Sequence, residues 1–555
     1  MEKITILFQE KSYEVEVGKR IADILEEGVL PYSGEELITL ATVDNRLKEL
    51  SYRLTEDCSI ELIGLSDADG RRTYMRSLTF LLIRAVQELY LKSTVQVMHS
   101  LSNGFFCSLD IGRPLHLEDV RKIEERMRSF VENDEKIVRF SVNIEEAVDI
   151  YERQQRKGRT DLFKYRESET VDMYRLGWIE DYFYGYMLPS ASKLNLFDLR
   201  LYNGGIVLLG PDVKDPKVIS RFRHQPKLFR IYRDAAEWTE TMKISNVASL
   251  NKAIEEERYP ELIRLSEAHQ EKKICEIADA IKADPEKGKI ILIAGPSSSG
   301  KTSFAQRLRL QLMVNHLLPV SISVDDYFID RDATPLDEFG EKDYESIHAI
   351  DLQQFNEDLS RLISGYEVHL PSYNFTTGTR EYVPGRTISI LENQPIIIEG
   401  IHALNPLLTE DIPEGNKFRI YISALTQLSL DEHNKIPTTD LRLIRRMVRD
   451  QKHRSYGARK TIGMWQSVRR GEEKNIFPFQ EYADRMFNSS MVYELAVLKK
   501  YVLPLLEDIR EDEKEYREAK RLLKFLQYFA QIHDEGDIPP ISLLREFIGG
   551  SRIVH

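Results

Sequence analysis

Eight consecutive residues have the types and spacing of a loop that binds phosphate groups. The stretch Gly295-Pro-Ser-Ser-Ser-Gly-Lys-Thr302 fits the pattern G-x-x-x-x-G-K-[ST]. Its two glycines let backbone N–H groups surround phosphate oxygens at the positive end of a helix. In such loops the lysine reaches the β- and γ-phosphates and the threonine holds Mg²⁺. The predicted nucleotide-binding residues are Gly295, Ser297, Ser298, Ser299, Gly300, Lys301, Thr302 and Ser303.

Two carboxylates follow apolar segments further along the chain. Asp325 comes directly after Val320-Ser-Ile-Ser-Val324, and Glu399 ends the apolar run of Pro395-Ile-Ile-Ile-Glu-Gly400. Because α/β sheets bind ligands at the carboxyl ends of their strands, we expect both carboxylates to face the phosphates. The second has the position at which enzymes with this loop place a carboxylate beside Mg²⁺.

Four arginines recur at three- and four-residue spacing between Asp440 and Asp450. They are Arg442, Arg445, Arg446 and Arg449. Guanidinium groups suit phosphate oxygens and the charge that develops on a transferred phosphoryl group, whereas the alternative is an ordinary solvated helix face. Arg454, Arg459 and Lys460 beyond them could form a lid over the nucleotide.

The elements around the loop indicate an α/β fold. The segment from Ile290 to Ala294 is short, apolar and β-branched, as expected of a buried parallel strand, and Ser303 to Met313 has the spacing of a helix. Strand, glycine turn and helix therefore come in the order that the loop requires. The segment from Phe418 to Ser423 is a further predicted strand.

Residues 290 to about 490 resemble the uridine kinase and phosphoribulokinase branch of P-loop kinases. The resemblance implies ATP and Mg²⁺ as cofactors, Asp325 as catalytic base, Lys301, Arg442 and Arg445 as further catalytic residues, and Thr302 and Glu399 at the metal. It also implies that a nucleoside acceptor contacts Asp325, Tyr327, Glu345, Tyr373, Phe375, Arg442 and Arg445. Tyr373 and Phe375 match a Tyr-x-Phe whose rings flank the base, although core packing is the alternative for Glu345 and these rings.

One position departs from this family. Uridine-cytidine kinases carry a base-reading histidine shortly after the Tyr-x-Phe, whereas this chain has Gly378. The acceptor is therefore open between a nucleoside and another sugar or sugar phosphate. An RNA-binding regulator switched by nucleotide is a third alternative. GTP is disfavoured because Asn434-Lys-Ile-Pro437 lacks the Asp of a guanine-reading motif.

The first 250 residues resemble parts of threonyl-tRNA synthetases. Alternating apolar residues in 1–65 suggest a β-grasp unit similar to a TGS domain, and 66–250 resemble the second, editing domain. That domain carries HxxxH and CxxxH motifs, but the matching positions here are Arg76, Phe80, Phe183 and Met187. These side chains cannot replace imidazole and thiolate ligands, so the expectation is an editing fold without editing chemistry.

Composition limits the remaining possibilities. The chain has 555 residues, 42% of them hydrophobic, and a net charge of −13, which argues against a chain built wholly for nucleic acid. The three cysteines lack metal or disulfide spacing, and no apolar run approaches the about 18 residues of a membrane span. These features favour a cytoplasmic protein without membrane contact. RNA contact by the N-terminal half and homo-oligomer formation are open.

The predicted organisation has four parts. They are a TGS-like β-grasp domain (1–65), an editing-domain-like α+β domain (66–250), a helical linker (251–288) and a kinase-like α/β domain with a parallel sheet and a helical C-terminal extension (289–555). The leading functional hypothesis is phosphorylation of a nucleoside 5′-hydroxyl by ATP.

Overall fold

The N-terminal part is a mixed five-stranded sheet of strand order β2-β1-β5-β3-β4, with one short helix. The computed structural model describes residues 2–32, 34–154, 157–166, 168–336, 340, 342–374, 377–391, 394–454 and 456–554. Strands β1 and β5 are parallel and the other neighbours are antiparallel. The elements are β1 (Lys3–Phe8), β2 (Lys11–Glu16), α1 (Ile21–Glu26), β3 (Ile38–Val43), β4 (Arg46–Glu49) and β5 (Cys58–Gly64). Alternation buries Ile4, Ile6 and Phe8 against the helix side, as the sequence predicted.

The second part combines helices with two antiparallel sheets, of order β11-β12-β7-β6 and β10-β9-β8. Its elements are α2 (Ala68–Leu89), β6 (Thr94–Leu101), β7 (Gly104–Asp110), α3 (Leu117–Glu132), β8 (Ile137–Asn143), α4 (Ile144–Arg153), β9 (Thr170–Leu176), β10 (Ile179–Tyr182), β11 (Asp198–Tyr202) and β12 (Gly205–Leu209). Helix α2 begins at Ala68 because the Asp67 side chain caps it by accepting a hydrogen bond from the backbone N–H of Asp69.

Three helices follow: α5 (Pro226–Thr241), α6 (Val247–Glu255) and α7 (Tyr259–Ala283). The predicted linker is thus largely helical, and its long helix α7 packs against the next part of the chain. Ile263, Ile274 and Ile281 of α7 are buried in one core with Ile291 and Phe304 of the next part. Helix α7 therefore covers one face of the sheet that carries the phosphate loop.

The third part is built on a five-stranded sheet of order β14-β19-β13-β20-β21, in which every neighbouring pair is parallel. Its elements are β13 (Ile290–Ala294), α8 (Lys301–Val314), β14 (Val320–Ser323), α9 (Leu352–Ile363), β15 (Val368–His369), β16 (Ser372–Asn374), β17 (Thr379–Glu381), β18 (Thr387–Ile388), β19 (Ile396–Glu399), β20 (Lys417–Ser423), α10 (Thr438–Arg454), α11 (Ala458–Asn475), β21 (Arg485–Asn488) and α12 (Glu494–Glu507). Two short helices, α13 (Tyr516–Leu526) and α14 (Arg545–Ile548), complete the described chain.

This topology confirms the α/β fold with a parallel sheet, preceded by a β-grasp unit and an α+β unit. Ser323 and Ile293 both lie opposite Glu399 in the register, so the carboxyl ends of the three central strands meet at one edge. In the described part of the chain, no helix has the length and apolar character needed to span a membrane.

The second and third parts are joined by a continuous core. Val142, Met173 and Tyr182 pack in the same buried cluster as Ile293 and Phe304 beneath the phosphate loop. Asp181 accepts a hydrogen bond from the His433 ring over 2.6 Å, and both side chains are buried. The two parts are therefore not independent units joined only by a linker.

Candidate active site

The loop between β13 and α8 has the backbone that phosphate binding requires. Gly300 is left-handed, with φ +81°, and Ser298 also has a positive φ of 58°. A Cβ atom at Gly295 would lie 2.1 Å from the carbonyl oxygen of Ile422, so that position accepts only glycine. The Ser298 and Ser299 hydroxyls are buried, without hydrogen-bond partners among the described residues. Buried unpaired donors in the loop fit the oxygens of a bound phosphate chain.

Lys301 folds back over this loop. Its Nζ donates to the carbonyl oxygens of Gly295, over 2.9 Å, and Pro296, over 3.2 Å. Burial lowers the pKa of Lys301, and the nearby charges of Glu399 and Glu546 oppose that shift. Phosphate oxygens would supply the negative charge that this buried ammonium group favours.

Thr302 and Glu399 form a pair of oxygen ligands beside the lysine. The Thr302 hydroxyl donates to the Glu399 carboxylate, with O···O distances of 3.2 and 3.3 Å. Burial raises the pKa of Glu399 above its ordinary range, and Lys301 counteracts this. Mg²⁺ prefers such oxygen ligands together with substrate phosphates, so these residues fit the predicted ion.

The two neighbouring aspartates after β14 face different surroundings. Asp325 lines the cavity beside the loop, and burial raises its pKa, with Lys301 acting in the opposite direction. Asp326 instead accepts a bond from Arg386 over 2.9 Å and one from the backbone N–H of Tyr373 over 3.3 Å. The structure therefore brings Asp325 to the predicted place and gives Asp326 a structural role.

The cavity beside the loop has a volume of about 760 Å³. Of the residues predicted there, its lining includes Ser297, Ser298, Lys301, Thr302, Asp325, Glu345, Tyr373 and Glu399. The rings of Phe328 and Tyr373 lie together, 5.6 Å between centroids. Tyr327, predicted to contact the acceptor, points into the core, where its hydroxyl donates to Asp358 over 2.9 Å. The neighbouring Phe328 lines the cavity instead. Phe375 lies outside the described residues.

Helix α10 presents different arginines to the cavity from the two that were predicted to contact the substrate. Arg442 and Arg445 are at most 1% exposed and do not line it. They support the loop from beneath: Arg442 donates to the Ser297 carbonyl over 2.9 Å, and Arg445 pairs with Glu494. The structure therefore places both guanidinium groups behind the loop and not on the surface of the cavity.

The neighbouring pair, Arg446 and Arg449, lines the cavity instead. Arg446 donates to the Ser297 hydroxyl over 2.8 Å, and the Arg449 Nε is buried without a partner among the described residues. Arg454, predicted for a lid, also lines the cavity, whereas Arg459 pairs with Glu513 outside it. Spacing alone could not distinguish the two pairs because all four arginines lie on one broad helix face.

Two glutamates at the loop had no signal in the sequence. Glu472 of α11 accepts a bond from the Ser297 backbone N–H over 2.9 Å and pairs with Arg442. Glu546 of α14 accepts bonds from the Ser303 hydroxyl, over 2.7 Å, and the Ser303 backbone N–H, over 3.3 Å. Both lie far along the chain from the loop, and only the tertiary fold brings them to it.

Arg331 occupies the space beside Gly378. Gly378 has a φ of +76°, and a Cβ atom there would lie 2.7 Å from the Arg331 Nε. Arg331 also lines the cavity, and its backbone N–H donates to the Gly378 carbonyl over 2.8 Å. The position expected for a base-reading histidine is therefore filled by a guanidinium group from another segment.

The four positions that replace the editing ligands are close together but offer no metal ligands. The rings of Phe80 and Phe183 lie 5.0 Å apart in the core, and Met187 is buried. Arg76 donates to the Tyr186 carbonyl over 2.6 Å. Within the described ranges, no group of three His, Cys, Asp or Glu side chains could hold a metal ion.

Comparison with known proteins separates two regions of the chain. The model of the Phosphoribulokinase / Uridine kinase family matches residues 290–496. The N-terminal region is similar to threonine--tRNA ligases, and that of Acetivibrio thermocellus is 32% identical over 163 residues, which are 29% of this chain and 26% of the ligase. The chain thus spans about a quarter of the length of the curated relatives it matches.

Two solved structures each cover 39% of this chain and 98% of their own. One, from Silicibacter sp. TM1040, is named for a fructose transport system kinase, and is 17% identical with a TM-score of 0.30. The other, described as a possible uridine kinase from Bacillus stearothermophilus, is 21% identical with a TM-score of 0.27. The family match and the ligase similarity confirm both resemblances drawn from the sequence, and the family match covers the phosphate loop and the parallel sheet around it.

Proposed function

We propose that this chain transfers the γ-phosphate of ATP to the 5′-hydroxyl of a nucleoside. The observation that carries the proposal is the meeting of Lys301, Thr302 and Asp325 in one cavity with Tyr373 and Glu345. This single space offers a phosphate loop, a candidate base and a wall for the acceptor. ATP and Mg²⁺ are the proposed cofactors, and the cytoplasm is the proposed compartment.

Asp325 is the proposed general base. Its carboxylate would accept the proton of the acceptor hydroxyl as the oxygen attacks the γ-phosphorus. Because burial raises the pKa of Asp325, the carboxylate is a stronger base than an exposed aspartate. The positive charge of Lys301 opposes this rise in the pKa of Asp325, so the carboxylate remains able to accept the proton.

The cations around the loop balance the phosphate charge. Lys301 would exchange its loop carbonyls for phosphate oxygens, and Arg446 and Arg449 would contact the phosphoryl group during transfer. Arg442 and Arg445 act indirectly, by holding the loop. Thr302 and Glu399 are the residues that would hold Mg²⁺, which supplies charge neutralisation on the phosphates.

The acceptor would lie between Asp325 and the Tyr373 wall. The Glu345 carboxylate can accept hydrogen bonds from ribose hydroxyls, and burial raises its pKa as well. The Phe328 and Tyr373 rings offer an apolar face to a base.

A sugar phosphate is the second candidate acceptor, because of one observation. Arg331 lines the cavity at the place where a base-reading histidine was expected. A guanidinium group there suits an acceptor that carries its own phosphate.

The test is ADP release by the purified full chain against a panel of nucleosides and sugar phosphates. We expect turnover that depends on the acceptor, with nucleosides the better substrates. Stimulation by sugar phosphates alone would support the second candidate. Turnover that no acceptor changes would contradict both and favour a nucleotide-switched regulator.

A further inference from the structure

A second cavity, of about 410 Å³, lies where the β-grasp sheet, the editing-like domain and the kinase domain meet. We call it the interdomain cavity. Lys48 of β4, Arg76 of α2, Lys435 before α10 and Lys524 of α13 line it, so four distant segments build its walls. Arg76 and Phe183 in its lining are two of the four residues that the sequence resemblance matches to editing ligands of threonyl-tRNA synthetases.

Positive charge is in excess in this cavity. Some of its cations are paired, as Arg139 is with Asp172 and Arg521 with Asp440. Six others form no ion pair with a carboxylate of the described residues, and they are Lys48, Arg76, Arg166, Lys435, Lys520 and Lys524.

The six cations without an ion pair have neutral partners. Arg76 donates to the Tyr186 carbonyl, and Arg166 donates to the Tyr528 hydroxyl over 2.8 Å. Lys435 lies 3.9 Å from the centroid of the Phe105 ring, and Lys48 lies over the Tyr52 ring. Carbonyls, hydroxyls and rings orient these groups without cancelling their charge, which leaves the capacity to bind an anion.

The titration behaviour agrees with this geometry. Burial lowers the pKa of Lys435 to about 7 and that of Arg76 to about 10. Burial also lowers the pKa of Lys524, and the charge of Arg166 lowers it further. Burial and mutual repulsion destabilise the charged forms of these side chains, so an anion bound among them would stabilise those charged forms.

We propose that the interdomain cavity binds a small phosphate-bearing molecule. Guanidinium and ammonium groups converging from several directions match the oxygens of a phosphate group. Tyr174, Tyr184 and Tyr186 in the lining offer ring faces or hydroxyls to an attached organic group. The volume is in the range of small-molecule sites, and a cavity of this size formed by separate segments favours a small molecule over an RNA strand.

The experiment uses the full-length chain with Lys301→Ala, which weakens phosphate binding at the loop. Inorganic phosphate, pyrophosphate, AMP and ATP are titrated by calorimetry. We expect at least one of them to bind with one-to-one stoichiometry. Tighter binding of a nucleotide than of pyrophosphate would identify the organic group as part of the ligand, and tighter binding of pyrophosphate would identify the phosphates alone.

Charge-removing variants in the same background locate the site. Arg76→Gln and Lys435→Gln should each weaken binding by about tenfold or more, the loss expected for one charged hydrogen bond. Lys524→Gln should weaken binding too, and it replaces Arg76→Gln if that variant does not fold. Arg121→Gln and Lys252→Gln change exposed cations outside the cavity and should have no effect.

Three results would overturn the proposal. The first is that none of the four compounds binds to the Lys301→Ala protein. The second is that the cavity variants bind as tightly as their controls. The third is that a single-stranded RNA oligonucleotide binds in a way that Lys435→Gln and Lys524→Gln disrupt while the small compounds do not bind.

Discussion

At the scale of single residues, the proposed chemistry depends on which of two adjacent aspartates faces the cavity. Asp325→Asn keeps the size of the side chain but cannot accept a proton, so kcat should fall by about 10²–10⁴-fold with ATP binding preserved. Asp326→Asn should retain turnover, since Asp326 pairs with Arg386. Acceptor-dependent ADP release and ATP affinity measure both effects.

The pH dependence and a control sharpen this prediction. Because the base must be deprotonated, the rate is lost as pH falls through the raised pKa of Asp325, and the variant should lack that acid limb. Lys301→Ala should instead impair both ATP binding and turnover. If Asp326→Asn is the inactive variant, the two roles are exchanged; if both variants remain active, the proposed base is wrong.

Arg331 distinguishes the two candidate acceptors. Arg331→Met removes a guanidinium group from the cavity while keeping much of the side-chain length. KM should be little changed for neutral nucleosides and should rise by about tenfold for a sugar phosphate. The measurement is kcat and KM for each acceptor class, with the exposed Arg121→Met as the matched control. A large loss with neutral nucleosides would contradict this role.

At the scale of elements, the short helix α14 places a negative charge against the phosphate loop. Glu546 accepts bonds from Ser303, whose backbone N–H is a predicted phosphate contact. Glu546→Gln should therefore lower the Kd for ATP by about tenfold, because an anion no longer competes for that end of the loop. Calorimetric titration measures it, with Glu507→Gln at an exposed position as control. Weaker ATP binding would show that Glu546 supports the site instead.

The sequence predicted the elements better than the faces they present. The phosphate loop is a local motif, and strands that end in Asp325 and Glu399 are local too, so their meeting followed from parallel-sheet topology. The choice between the arginine pairs depends on Glu472 and Glu494, which come from other helices. The inward orientation of Tyr327 also depends on a distant element, because Asp358 of α9 accepts a hydrogen bond from its hydroxyl.

At the scale of the whole molecule, the kinase domain shares its core with the editing-like domain. Tyr182 packs with kinase-domain residues, and Asn434 accepts a bond from the Tyr184 backbone N–H over 2.7 Å. Asn251 holds the C-terminal extension through both the Tyr528 carbonyl and the Ala530 N–H. No pattern in the sequence indicates this joint core, because each domain also has its own set of helices and strands.

A truncation tests that joint core. The fragment 251–555 lacks Met173 and Tyr182, so its apolar surface is exposed and it should unfold at a lower temperature than the full chain or aggregate. Thermal unfolding followed by circular dichroism, with light scattering, measures this. The fragment 289–555, which also lacks α7, should be less stable still. A fragment 251–555 as stable as the full chain would contradict a shared core.

The most direct test of the central claim follows the phosphate itself. The full-length chain is incubated with ATP labelled at the γ-phosphate, Mg²⁺ and a nucleoside, and the products are separated and identified. The account predicts label on the 5′-oxygen of the nucleoside, and loss of that product in Asp325→Asn. Label released only as inorganic phosphate, at the same rate with and without any nucleoside or sugar phosphate, would contradict it.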